Sequence, residues 1–179
     1  MGQTPVWVYV SPCPYIRAVT NQYMNMENLN VSVRRMRVVD IAAVQAIEHH
    51  SFTDPWSRET LEEALELFPN TNFIADSEGK VAGFIICGVE NTGEEIYGHI
   101  CSLAVSPHHR GSGIGSALVQ RAEYQVMLTG ATAMQLEVRI SNTKAQKFYR
   151  KLGYEPVFQL AGYYANTEDA IVMMRWFRY

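Results

Sequence analysis

Apolar positions along this chain alternate between two spacings, and the alternation lays out the order of its elements. Residues 31–36 read as a short strand. Ile41, Val44 and Ile47 then recur at helical spacing behind Asp40, a residue type suited to an N-cap. Pro55 breaks that helix, since proline disfavours helix at its own position and the one before. Ser57 is placed to cap a second helix over 58–68. Strand-like apolar runs follow at 72–76, 81–89 and 96–105, separated by Glu78-Gly79-Lys80 and Asn91-Thr92-Gly93. Ile114, Ala117, Leu118, Ala122 and Val126 return to the helical period. A strand over 133–139 and a helix over 142–152 come next, the helix closed by Gly153. Strands over 155–162 and 169–177 flank a last polar turn. The order is β-α-α-β-β-β-α-β-α-β-β. It predicts an α/β (α+β) domain: a mixed, mostly antiparallel central sheet with helices on both faces.

One junction carries chemistry. Arg110-Gly111-Ser112-Gly113-Ile114-Gly115 stands between the strand ending at Val105 and the helix that starts near Ile114. A helix start offers unpaired N–H groups and the positive end of the helix dipole, and glycine lets an anion approach the backbone closely. The expected ligand is a phosphorylated cofactor. The lysine and hydroxyl of a P-loop are missing, and Gly111-x-Gly113-x-Gly115 does not fit the dinucleotide spacing.

Length and composition change this picture little. With 179 residues, 47% hydrophobic and 18% charged, one ordinary globular domain is expected. A net charge of −3 argues against bulk nucleic-acid binding. Cys13, Cys87 and Cys101 form neither a zinc pattern nor a disulfide framework, and the histidines lack partners at ligand spacing, so no metal site is expected. No apolar run approaches the roughly 18 residues of a membrane span. A cytoplasmic protein without membrane or nucleic-acid partners is expected, monomeric or weakly dimeric. Residues 1–30 carry Pro5, Pro12 and Pro14 and no long amphipathic period. They are read as an N-terminal extension, and residues 31–179 as the domain.

The loop also fits Arg/Gln-x-x-Gly-x-Gly/Ala, and other motifs agree with it in order. They are Gly98-His99-Ile100-Cys101-Ser102-Leu103-Ala104-Val105, Leu136-Glu137-Val138-Arg139-Ile140-Ser141-Asn142, Phe148-Tyr149-x-x-Leu152-Gly153-Tyr154, and Gly162-Tyr163-Tyr164-Ala165 with Glu168-Asp169-Ala170. Together they resemble the GNAT acetyltransferases, in particular the protein N-terminal acetyltransferases of the RimI type and their archaeal relatives. The resemblance runs from about Val31 to the C-terminus.

The resemblance implies acetyl-CoA as cofactor. Its pyrophosphate would be held by Arg110, Gly111, Ser112, Gly113, Ile114, Gly115 and Ser116. Leu103, Ala104 and Val105 would follow the pantetheine arm in the manner of an added strand. Asn142 matches a family cofactor contact and is also a natural N-cap. The exposed face with Lys144, Lys147, Arg150 and Lys151 is by default solvated, with the CoA 3′-phosphate as a second reading.

Tyr149 lies on an apolar helical stripe with Ala145, Phe148 and Leu152, which by periodicity alone makes it a core aromatic. The resemblance makes it instead the general acid beside the cofactor sulfur. Glu137 interrupts an apolar strand, and at its position RimI-type enzymes carry the base that removes the amine proton. His99 suits proton relay, and Glu90 is a weaker candidate for the same task. Phe52, Pro55 and Trp56, with Tyr163 and Tyr164, match the segments that wall a peptide groove in the family. The function implied is acetyl transfer to the N-terminal α-amine of proteins or peptides, possible substrates including ribosomal proteins, by direct attack in a ternary complex. Alternatives are acetylation of lysine or small amines, or a non-catalytic acyl-CoA-binding module.

Overall fold

The computed structural model describes residues 31–177, so the expected extension and Cys13 lie outside the described residues. The predicted order of elements is the one observed. The strands are β1 (Val31–Arg35), β2 (Phe73–Ser77), β3 (Lys80–Asn91), β4 (Ile96–Val105), β5 (Ala133–Arg139), β6 (Glu155–Leu160) and β7 (Ala170–Trp176). The helices are α1 (Ile41–Ser51), α2 (Arg58–Leu67), α3 (Ile114–Met127) and α4 (Thr143–Lys151), with short 3-10 turns before α1 and before the glycine-rich loop.

The strands form one seven-stranded sheet in the order β1-β2-β3-β4-β5-β7-β6. All neighbours are antiparallel except β4 and β5. Strand alternation sends side chains to opposite faces. Phe73 and Ile85 join the core built with Ile114, Leu118, Ala122 and Val126 of α3. Ile74, Phe84 and Ile86 join the core built with Ile41, Val44 and Ile47 of α1 and Leu61, Ala64 and Leu65 of α2. Helices therefore cover both faces.

Ser57 caps α2 as expected, accepting from the Thr60 N–H at 3.2 Å. Asp40 occupies the expected N-cap position of α1, but its side chain bonds elsewhere. It precedes α1 but makes no side-chain cap bond to it. Its carboxylate accepts both arms of the Arg34 guanidinium, at 2.7 and 2.8 Å, and the Arg37 N–H at 2.8 Å. That pairing, led by the Arg34 hydrogen bonds, holds Asp40 below the usual carboxylate range.

The feature that creates the site is a split between the two parallel strands. β4 and β5 pair only from Tyr97↔Ala133 to Ile100↔Leu136. Beyond that point β4 stays with β3 as far as Val105↔Gly83, while β5 stays with β7 as far as Arg139↔Ala170. The split begins at a bulge: Cys87 faces Ile100 and Ile86 faces Ser102, so Cys101 is an extra residue on β4. A bulge bends its strand and turns over the side-chain alternation that follows. Ile100 accordingly lies in the α3 core, whereas Ala104 lies in the α1–α2 core.

Candidate active site

The split opens into a cleft of about 770 Å³. Its floor carries His99, Ile100, Cys101, Ser102 and Leu103 of β4 with Glu137, Val138 and Arg139 of β5. Asn142, Ala145 and Tyr149 face it from α4, and Phe52 and Trp56 with Tyr163 and Tyr164 stand around it. Pro55 is not among the lining residues; it shapes the loop and does not furnish the wall.

At one end of the cleft β4 runs into the glycine-rich turn. Gly111 (φ 81°) and Gly113 (φ 91°) are in the left-handed region, and a Cβ at either would meet nothing within 4 Å. Glycine is thus required there by backbone conformation, not by crowding. Gly113 occupies the N-cap of α3 and offers no side-chain cap, which leaves the first N–H groups of the helix without a side-chain partner. Gly115 has a different reason, since its Cβ would come within 3.3 Å of the Phe148 ring, which would have to yield.

The other expected cofactor residues divide by which atoms are available. Ile114 and Ala104 are 1% and 6% exposed and belong to the cores, so only their backbone can meet a ligand. Val105 packs against the α3 core in the same way. Ser112 donates to the His109 carbonyl at 2.6 Å. Arg110 folds back, donating from Nε to the Val105 carbonyl at 2.9 Å and reaching Ser51 at 3.4 Å. It ties the loop to the end of α1. Ser116 stands in the first turn of α3. Asn142 is the N-cap of α4, accepting from the Ala145 N–H at 3.0 Å, and it also faces the cleft.

The polar floor is a chain of hydrogen bonds. His99 Nε2 lies 2.6 Å from Glu137 Oε2, and its Nδ1 lies 2.7 Å from Glu90 Oε1. Gln135 donates to Glu137 Oε1 at 3.0 Å, and the Tyr97 hydroxyl donates to Glu90 Oε2 at 2.7 Å. Exposure rises along the chain, the side chains of Glu137, His99 and Glu90 being 9%, 21% and 45% exposed. The bond to Glu137, helped by the charge of both carboxylates, raises His99 above the ordinary imidazole value despite an opposing desolvation. Glu90 is held low, first by the Tyr97 hydroxyl.

Tyr149 lines the cleft from α4 while its ring packs edge-on against Phe148 and Tyr154, with centroids 5.0 and 5.5 Å away. Burial, and after it the neighbouring Tyr164, push its pKa well above the ordinary phenol value. Tyr149 is thus a core aromatic that also lines the cleft. Tyr164 itself is pushed up to about 12, chiefly by burial.

Two features of the site went unassigned in the sequence. Glu48 is 2% exposed, accepts from the Ser102 hydroxyl at 3.0 Å and from the Trp56 N–H at 3.3 Å, and so fastens the Phe52–Trp56 loop to β4. Burial raises its pKa. The signal was present: Ile41, Val44 and Glu48 fall on one helical stripe, and a carboxylate on an apolar stripe needs a partner. The second is Arg139. It donates to Asp54 at 3.0 Å and to Glu168 and Asn166 at 2.9 Å each, and its guanidinium lies 3.8 Å from the Tyr164 ring centroid. One side chain thus ties both aromatic walls together. No spacing in the sequence links Asp54 with Glu168.

A family model described as acetyltransferase (GNAT) matches residues 41–154. The chain belongs to the GNAT acetyltransferase family. Relatives of this GNAT chain include an uncharacterised N-acetyltransferase of Methanocaldococcus jannaschii, 36% identical over 80% of this chain and 90% of its own. A putative ribosomal protein bS18 alanine N-acetyltransferase of Bacillus subtilis is 34% identical over 79% and 93%. An N-alpha-acetyltransferase of Sulfurisphaera tokodaii is 32% identical over 79% and 90%. Among solved structures, Ard1 from Thermoplasma volcanium superposes with a TM-score of 0.78 at 25% identity, covering 84% of this chain and 99% of that one. The family match covers the sheet split, the glycine-rich turn and α4. Among the described residues of this GNAT domain, no helix is long and apolar enough to cross a membrane.

Proposed function

We propose that this GNAT enzyme transfers the acetyl group of acetyl-CoA to the free α-amine of protein or peptide N-termini in the cytoplasm, ribosomal proteins among them. The observation that carries the reading is the pairing of Glu137 with His99 on the cleft floor, opposite Tyr149 and between two aromatic walls. The relatives' names point the same way.

The residues present fit the cofactor. The uncapped start of α3, entered through two left-handed glycines, suits a pyrophosphate. The edge of β4 beyond Ile100 has no strand on its β5 side, which suits the amides of a pantetheine arm. When bound, acetyl-CoA supplies an activated acetyl group and a thiolate leaving group.

The chain's own residues do the rest. An α-amine has a pKa of about 7.7–8.0, so at neutral pH most of it arrives protonated. Glu137 and His99 take its proton, which leaves the nitrogen lone pair free to attack. Tyr149, kept protonated by burial, lines the cleft and would serve as the donor to the thiolate leaving group. A phenol so held would act as general acid, supplying a proton or a hydrogen bond to the thiolate. Phe52, Trp56, Tyr163 and Tyr164 orient the peptide end, and Glu48 and Arg139 fix those walls in place.

The test is to offer acetyl-CoA and short peptides with free or blocked N-termini, following CoA release and locating the acetyl group by mass spectrometry. Only free termini are expected to be acetylated, with kcat reduced in Tyr149→Phe. Acetylated lysines on blocked peptides would move the enzyme to side-chain substrates, and CoA binding without any product would make it a binding module.

A further inference from the structure

Glu90 stands outside the cleft, yet it is bonded to the base. Three observations define its place. Its Oε1 lies 2.7 Å from His99 Nδ1, on the side of the ring away from Glu137. Its Oε2 accepts the Tyr97 hydroxyl at 2.7 Å. Its side chain is 45% exposed, against 9% for Glu137.

An ionised carboxylate only accepts hydrogen bonds, so an ionised Glu90 favours the form of the ring that carries its hydrogen on Nδ1. The contact between Nε2 and Glu137 is different. At 2.6 Å it is satisfied either by Nε2–H donating to a carboxylate or by a protonated Glu137 donating to Nε2. With the hydrogen of Nδ1 so anchored, the proton free to move is the one between Nε2 and Oε2. Without Glu90, the neutral ring is free to place its hydrogen on Nε2, donate it to Glu137, and lose the ability to accept one there.

We propose that Glu90 is a positioning residue for the acetyl transfer proposed above: it anchors Nδ1–H of His99 and so reserves Nε2 as the acceptor that shares with Glu137 the proton taken from the amine. This rests on the α-amine reading of the site. In the step itself the N–H bond of the amine breaks and its electron pair stays on nitrogen. The proton comes to rest between Oε2 and Nε2, and water removes it when the product leaves. The logic is that of a carboxylate–histidine pair in which the carboxylate sets the tautomer and is not itself protonated.

The groups facing His99 are few. From β3 there is Glu90, and behind it Tyr97 of β4; from β5 there is Glu137, held by Gln135. Cys101 of β4 donates to the His99 carbonyl, not to the ring. Tyr163 and Tyr164 of the last hairpin sense the charge of Glu137 and are pushed up, though mainly by burial. Glu90 and Glu137 are thus the charges that set the ring's proton affinity.

Two measurements on the full chain test this. The first is nitrogen-detected NMR of His99, which reports tautomer and titration without any turnover. Nδ1 is expected to be protonated throughout the titration, and Glu90→Gln to lower the midpoint by about one pH unit and populate the Nε2–H form. The second is the pH profile of kcat/KM on a free-terminus peptide. A site that has lost a negative neighbour releases its proton at lower pH, so in Glu90→Gln the acid limb should move down while the plateau falls about tenfold, a fraction of what general-base catalysis contributes. Exposed Glu94→Gln should move neither, and Glu90→Gln should add nothing to His99→Gln. An unchanged His99 midpoint and tautomer in Glu90→Gln would overturn the assignment. Absence of acetylated product from the unmodified enzyme would instead defeat the proposed function, leaving the NMR to judge Glu90 alone.

Discussion

Glu48 and Glu137 are both carboxylates drawn out of water beside the same cleft, and their surroundings give them different tasks. Glu137 is paired with the His99 ring and Gln135. Glu48 has only a hydroxyl and one backbone N–H, with no cation bonded to it, and burial dominates its raised pKa. A carboxyl whose folded pKa is raised binds its proton more tightly when folded. Stability then falls as pH climbs from the unfolded value, about 4.3, through the raised one. Glu48→Gln keeps an acceptor oxygen for the Trp56 N–H, turns its NH2 to the Ser102 hydroxyl, which can accept, and removes the buried charge. The variant is therefore expected to melt higher than the parent at pH 7–8, with the difference closing toward pH 4. Thermal melts across that range check it, and a variant less stable at every pH would show that the charge itself is needed.

At the scale of elements, the paired stretch of β4 and β5 below the split depends on how closely α3 and β5 approach the start of β4. Gly98 sets that approach, because a Cβ there would lie 2.5 Å from Met134 Sδ and 2.7 Å from a Val126 methyl. Overpacking of this kind costs about 1–3 kcal/mol. Gly98→Ala should lower stability by that amount in denaturant melts and displace the adjacent His99; a variant of unchanged stability would contradict the packing. Much at this scale was legible beforehand. The apolar periods predicted every strand and helix from Val31 onward, because each element buries one face against a core. Boundaries moved by a residue or two where chain ends fray. Asp40 holds the expected N-cap position but makes no cap bond to α1, since Arg34, six residues earlier, offers a charged fork that outcompetes the helix N–H groups. The bulge at Cys101 left no trace in the sequence, as an extra residue in a strand is defined only by its partner strand.

For the molecule as a whole, the site is assembled across long sequence separations. Glu137 meets His99 across 38 residues, and Arg139 meets Asp54 across 85. Local motifs nominated Glu137, His99 and Tyr149 one at a time. Only the sheet order, with β5 inserted between β4 and β7, places the first two on one floor. The same order explains why Arg139 escaped notice, because it acts on segments distant in the chain, whereas Glu48 carried a local sign in its apolar stripe. The central claim is that this floor supplies the base for acetylation of an α-amine. The most direct test is single-turnover acetylation of one peptide bearing both a free N-terminus and an internal lysine, comparing the parent with Glu137→Gln and localising the acetyl group by mass spectrometry. The account predicts acetyl on the terminus alone, with the rate in Glu137→Gln reduced about 10²–10⁴-fold and restored in part at high pH, where the amine is already neutral. An undiminished rate in Glu137→Gln, or acetyl on the lysine in place of the terminus, would contradict it.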